Sequence, residues 1–250
     1  MADVDVKERP AKTRRKKPDD VGAVKESPAP STEAAQSRRP LRIVMSSPKG
    51  GSGKTGTCRN LAVAAALDGF KVATVDFDPQ TGLTNWWQKR PDEAANIDHY
   101  AADIANVDDI LVDILDYDIV FFDTATSVEE HLVEMKKLLE PADLVLVPTQ
   151  ETDDDLDSVV PWMGVLRKFQ PRSYFVFNRV QPRTKIFLDG RNRVLGTGHP
   201  LIPLEIPDYI DFKEAGRMGI GVLELHKAKG REQVSGLWQF VRANLELGAA

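Results

Sequence analysis

The chain has 250 residues, 42% of them hydrophobic and 28% charged, with a formal net charge of −5, which fits one well-packed domain of ordinary size with a tail attached. A single cysteine, Cys58, excludes an internal disulfide framework. No apolar run approaches the ~20 residues that a membrane-spanning helix needs, and the start "MADVDVKERPAKTRRKK" lacks the apolar stretch of a secretory signal, so no membrane insertion and a cytoplasmic location are expected.

Residues 1–39 are nearly devoid of large apolar side chains and rich in Pro, Ser, Ala, Lys and Arg. Such a segment cannot bury enough surface to offset chain entropy, so a disordered basic, Pro-rich tail is expected there, with a folded domain over 40–250. The tail holds ten Lys or Arg against seven Asp or Glu, net +3, which leaves −8 for the rest. Its run "KTRRKK", Lys12 to Lys17, suits either nucleic acid or plain solvation.

From Leu41 onward, short apolar, β-branched runs alternate with longer segments of helical spacing. The predicted strands are "LRIVMSS", "KVATVDFD", "YDIVFFD", "ADLVLVP", "SYFVFN" and "HPLIPLEIP". The predicted helices are "GKTGTCRNLAVAAALDG", "SVEEHLVEMKKLLEP", Asp155 to Gln170, and "REQVSGLWQFVRANLEL". Continuous apolar strands covered by intervening helices imply a doubly wound, mainly parallel α/β sheet flanked by helices. Ligands of such sheets sit at the C-terminal ends of the strands, which makes the loops there the candidate site.

The first of those loops is "SSPKGGSGKTG", Ser46 to Gly56, placed between a strand and a helix. That context lifts a phosphate-loop match above chance. Glycines let backbone N–H groups converge on phosphate oxygens, and the helix N-terminus adds positive potential. Lys54 would reach the β- and γ-phosphates, and the Thr55 hydroxyl would ligate Mg²⁺. Position 48 is Pro rather than the usual first Gly, and a second lysine, Lys49, follows it.

The string "KGGSGKT" resembles the deviant Walker-A loop of the ParA/MinD family of ATPases. The resemblance implies a nucleotide-binding loop of Lys49, Gly50, Gly51, Ser52, Gly53, Lys54, Thr55 and Gly56, with ATP and Mg²⁺ as cofactors. In that family the early lysine crosses a dimer interface to the partner's phosphates, so Lys54 would serve its own nucleotide and Lys49 that of a second copy. "VATVDFDPQTGLTNWW" resembles the family's second-strand motif, by which Asp78 would position the attacking water and Asp76 would support the Mg²⁺ shell or the loop. "YDIVFFDTATS" reads as the Walker-B strand with Asp123 at the metal, although Ala125-Thr126 stands where the family more often has Pro. "VPTQ", Val147 to Gln150, is similar to the segment before the interface helix. "FVFNRV" would bring Asn178 to the adenine, and "IPDYIDFKEAGRMG" would bring Pro207 and Asp208 near the base. A Thr or Ser usually stands where this chain has Gly56, so a hydroxyl contact to the α-phosphate is expected to be missing, and the first helical turn is weakened by roughly 0.5–1 kcal/mol relative to Ala.

Absences narrow the role within that family. One cysteine cannot ligate a metal cluster, the C-terminus has no tyrosine cluster, and "LWQFVRANLELGAA" lacks the basic face of a lipid-binding helix. Leu237, Phe240, Val241 and Leu245 are expected in the core instead. The remaining role is an ATP-dependent dimerising ATPase that partitions or positions DNA or a large cargo, associates with the nucleoid, and hydrolyses slowly until a ParB-like or other adaptor stimulates it. "NRVQPRTKIFLDGRNR" supplies Arg179, Arg183, Lys185, Arg191 and Arg193 as a candidate non-specific DNA surface, with Lys213 and Arg217 extending it; a solvated charged loop is the competing reading. A recruitment factor for conjugation or a surface machine, or a small-molecule ATP-dependent synthetase, stay open as alternatives. His99, His131, His199 and His226 are scattered without metal-ligand spacing.

Overall fold

β1 (Leu41–Met45) is five residues long and lies between β4 (Ile119–Asp123) and β5 (Leu144–Thr149). The computed structural model describes residues 39–126, 130–169 and 172–247. Its sheet has seven strands, all parallel, in the order β3-β2-β4-β1-β5-β6-β7, with β2 at Val72–Asp76, β3 at Asp98–Ala101, β6 at Ser173–Val180 and β7 at Leu201–Pro207. The order reverses around β1, and the crevice at such a reversal is where ligands bind.

Alternate residues of β1 feed two cores. Ile43 and Met45 pack with α1 (Lys54–Leu67), α2 (Gly82–Trp87) and α8 (Arg231–Asn244), while Val44 packs with the layer built from α3 (Val107–Asp113), α4 (Leu132–Leu139), α5 (Asp153–Phe169) and α6 (Lys185–Gly196). Burial on both faces is why these strands read as unbroken apolar runs. In α8, Leu237 and Val241 are buried, with Phe240 and Leu245 packed against the same core, as expected from the sequence. No helix among the described residues is long and apolar enough to cross a membrane.

Among the described residues, six strands and four helices fall where the sequence places them, and five elements, β3, α2, α3, α6 and α7 (Ile210–Arg217), were not foreseen. β3 is only four residues long, and α2 and α3 are six and seven residues, too short to display a period. α6 occupies the segment read as a charged loop. Thr184 caps it by accepting from Phe187 N at 3.2 Å, and Phe187 and Val194 are its buried face. The late loop after Pro207 likewise forms a helix, α7 (Ile210–Arg217). The tail of 1–39 and its "KTRRKK" run lie outside the described residues except for Arg39. That residue belongs to the folded domain, since its NH1 and NH2 donate to the two carboxylate oxygens of Asp143 at 2.7 and 2.9 Å.

Candidate functional site

Parallel register sets the site's frame. Met45 and Asp76 both pair with Asp123, so β1, β2 and β4 end at one level, with both carboxylates beside the loop that leaves Met45. The loop turns through Gly51 at φ 77° and Gly53 at φ 94°, left-handed conformations that favour glycine. Gly53 is constrained twice, because a Cβ there would stand 1.9 Å from Asn178 Nδ2. Gln150 Nε2 and Arg179 NH1 both donate to Gly51 O, at 3.2 and 3.1 Å, and so fix the crest of the loop from β5 and β6.

The two lysines of the loop behave differently. Lys54 is 6% exposed and curls inward, its Nζ donating to Ser47 O at 3.0 Å and to Lys49 O at 3.4 Å. Burial lowers its pKa, while the charges of Asp123 and Asp78 pull it back up. Lys49 is half-buried at the rim, and its ammonium has no partner among the described residues. Gly50 is exposed; Ser52 is buried with an unpartnered Oγ. A Cβ on Gly56 would meet nothing within 4 Å, so the missing side chain at that position is not imposed by sterics.

Asp123 is fully buried, and burial pushes its carboxyl up to about 7 against the opposing hydrogen bond from Thr55, whose Oγ1 donates to Oδ2 at 2.6 Å. Its other oxygen, Oδ1, has no hydrogen-bond partner among the described residues. An orphaned buried oxygen beside a threonine hydroxyl fits Mg²⁺, an ion bound through one or two protein oxygens plus water and phosphate rather than a protein cage. Accordingly no cluster of three or more His, Cys, Asp or Glu side chains suited to a metal occurs among the described residues. Asp76 is differently placed: Oδ2 accepts from both Thr84 N and Thr84 Oγ1 at 2.8 Å, and Oδ1 accepts from Asp78 N at 3.0 Å. Burial raises its pKa and these bonds lower it. With its oxygens so engaged, Asp76 fits the loop-supporting role among the two expected for it. Asp78 is half-buried and accepts from Gln80 N at 2.9 Å through Oδ1.

A cavity of about 320 Å³ opens next to the loop and is lined by Gly56, Thr57, Asn178, Pro207 and Asp208. The structure thus brings together the residues expected near the base. Asn178 also stitches the loop, its Nδ2 donating to Ser52 O at 3.2 Å and Gly53 O at 3.3 Å. Asp208 is braced by Lys213 Nζ at 3.0 Å and Arg179 Nε at 3.6 Å. Sequence reasoning missed Arg59, which also lines the cavity, donates through NH2 to Phe212 O at 2.9 Å and leaves Nε unpartnered. An arginine one turn after Gly56, just before the apolar stretch of the helix, was the available signal.

The basic residues do not form one uniform surface. Arg193 is held by Asp153 at 2.9 Å and by Asp157, and Arg179 and Lys213 are both spent on Asp208. Arg183, Lys185 and Arg217 are exposed and Arg191 is half-buried, with no ion pair among the described residues. The expected patch is therefore reduced at position 193, because α6 lies against the acidic start of α5.

With this geometry in view, likeness to known proteins decides the family. The model of the CobQ/CobB/MinD/ParA nucleotide binding domain matches residues 43–222. The chain belongs to that family. Solved structures share the family fold at low identity. The cell division ATPase MinD of Pyrococcus furiosus is 20% identical with a TM-score of 0.68, over 81% of this chain and 98% of that one. A plasmid partition protein of Borrelia burgdorferi, bound to AMPPNP, is 18% identical with a TM-score of 0.65, over 82% and 100%. The septum site-determining protein MinD of Pyrococcus horikoshii, complexed with Mg-ADP, is 19% identical with a TM-score of 0.65, over 80% and 95%. Among curated proteins no relative matches.

Proposed function

We propose that the chain is an ATPase of the positioning or partition kind: it binds ATP with Mg²⁺, dimerises face to face, binds DNA without sequence preference, and releases it after slow, adaptor-stimulated hydrolysis. The observation that carries this reading is the contrast between the two loop lysines, one turned into its own loop and one at the rim whose ammonium has no partner among the described residues. Lys54 would hold the phosphates of its own nucleotide. Lys49 would reach those of a second copy, which would give ATP the differential interaction that a shift to dimer requires.

Thr55 and Asp123 would hold Mg²⁺, which when bound neutralises phosphate charge. Asp78 keeps one carboxylate oxygen available to orient a water, since only Oδ1 is engaged by Gln80. Asn178, Pro207 and Asp208 would enclose the base. Arg183, Lys185, Arg191 and Arg217 are the cations available to DNA phosphates.

Light scattering with ADP, ATP and a slowly hydrolysed ATP analogue tests the reading. Lys49→Ala should retain ATP binding as a monomer and lose the ATP-dependent dimer. A stable ATP dimer of Lys49→Ala would overturn the two-lysine reading, and equal DNA retention with ADP and ATP would overturn the switch.

A further inference from the structure

His99 sits in β3, a strand that no motif marks, and lies outside the groups assigned above to nucleotide and metal. It is 4% exposed, yet both ring nitrogens are engaged. Nδ1 is 2.9 Å from Thr74 Oγ1, and Nε2 is 2.9 Å from Thr84 Oγ1. The ring stacks on Trp87 with centroids 5.3 Å apart at 24°.

The direction of each bond follows from the group at the end of the chain. Asp76 Oδ2 lies 2.8 Å from Thr84 Oγ1, and an ionised carboxylate only accepts. The single hydroxyl proton of Thr84 therefore goes to Asp76, and Thr84 Oγ1 accepts from His99 Nε2–H. Nδ1 is left as the acceptor of the Thr74 hydroxyl, at a shorter distance than the 3.3 Å from Thr74 Oγ1 to Asp98 O. Burial holds the ring well below its usual pKa, at about 4, which agrees with a neutral Nε2–H tautomer. On the far side, Asp76 Oδ1 accepts from Asp78 N at 3.0 Å. The backbone of Asp78 is thus fixed by a carboxylate that is fixed by Thr84, and the hydroxyl of Thr84 is fixed by His99.

We propose that His99 is a positioning residue for hydrolysis: through the Thr84 hydroxyl it orients Asp76, and through Asp76 it sets the place of Asp78. The inference rests on the ATPase reading above. A purely structural residue in this position would need bulk and stacking only; a histidine with both nitrogens engaged, ending on a site carboxylate, supplies direction as well.

The test is steady-state and single-turnover ATP hydrolysis by the full chain, beside ATP affinity and thermal melting. His99→Phe keeps the stack on Trp87 and loses the donor; kcat should fall about tenfold while the Kd for ATP stays within about twofold. His99→Gln, which carries an amide N–H toward Thr84, should recover most of the rate, and His99→Asn, too short to reach, should not. In a Thr84→Val background His99→Phe should cost nothing further, because the path runs through that hydroxyl. Should His99→Phe fail to fold, the Gln and Asn pair and the ¹⁵N signature of the Nε2–H tautomer carry the same test. Wild-type kcat in His99→Phe, equal kcat in the Gln and Asn variants, the opposite tautomer, or an undiminished loss in Thr84→Val would overturn the proposal alone. A wild-type chain that does not hydrolyse ATP would overturn the ATPase reading itself.

Discussion

At the ends of β2 and β4, Asp76 and Asp123 are buried, and three of their four oxygens have named donors at 2.6 to 3.0 Å while the fourth is left open beside Thr55. Beyond β6, Arg183, Lys185 and Arg217 stand exposed with no ion pair among the described residues. Both regions are charged, but only the first is specified atom by atom. Removing a carboxylate from water costs several kcal/mol unless each oxygen is satisfied, so a vacant oxygen in a buried cluster points to a ligand. An exposed arginine incurs no such cost, and its vacancy by itself points to nothing.

That contrast can be broken or sharpened by experiment. The largest effect belongs to Lys54→Ala in the buried region. It removes the cation that the loop encloses, and ATP affinity measured by calorimetry should fall by at least about 100-fold, the equivalent of a charge-assisted hydrogen bond. Next is a pH effect from His99. Its pKa is lowered from 6.5 to about 4 by burial, so the unfolded chain takes up a proton before the folded one does as pH falls. Stability contributed by the neutral ring is present above pH 6.5 and is lost between 6.5 and about 4, at most about 3 kcal/mol. Urea denaturation of wild type and His99→Gln should show this as a difference in slope across that window, because the contribution of Asp123, raised by burial, is common to both.

Gly53→Ala comes third. A left-handed φ of 94° and a Cβ 1.9 Å from Asn178 Nδ2 should cost about 1–2 kcal/mol in a thermal melt and weaken ATP binding about tenfold. Gly56→Ala, with open space around its Cβ, should be neutral or slightly stabilising in the same melt. The smallest effect is expected in the exposed region. Arg183→Glu with Arg191→Glu should lower DNA affinity about fivefold at low salt and flatten its salt dependence, whereas Arg193→Glu, already neutralised by Asp153 and Asp157, should change DNA affinity by less than about twofold. If Arg193→Glu had the larger effect, the ion-paired and unpaired arginines would have to be exchanged in this picture.

The sequence by itself determined the strand–loop–helix unit at 41–67, the doubly wound class and the residues around the phosphate loop, because those features rest on local patterns: apolar runs, glycine conformations and a lysine at fixed spacing. It also brought Asn178, Pro207 and Asp208 to one place through resemblance. Only the tertiary structure decided that β3 exists, that residues 185–196 are a helix, that Arg193 is spent on α5, and that Arg59 and His99 stand near the site. The physical reason is reach. Short elements owe their form to neighbours distant in sequence, and the meaning of a charge or an imidazole depends on whether a partner such as Thr84 or Asp157 is brought across to it.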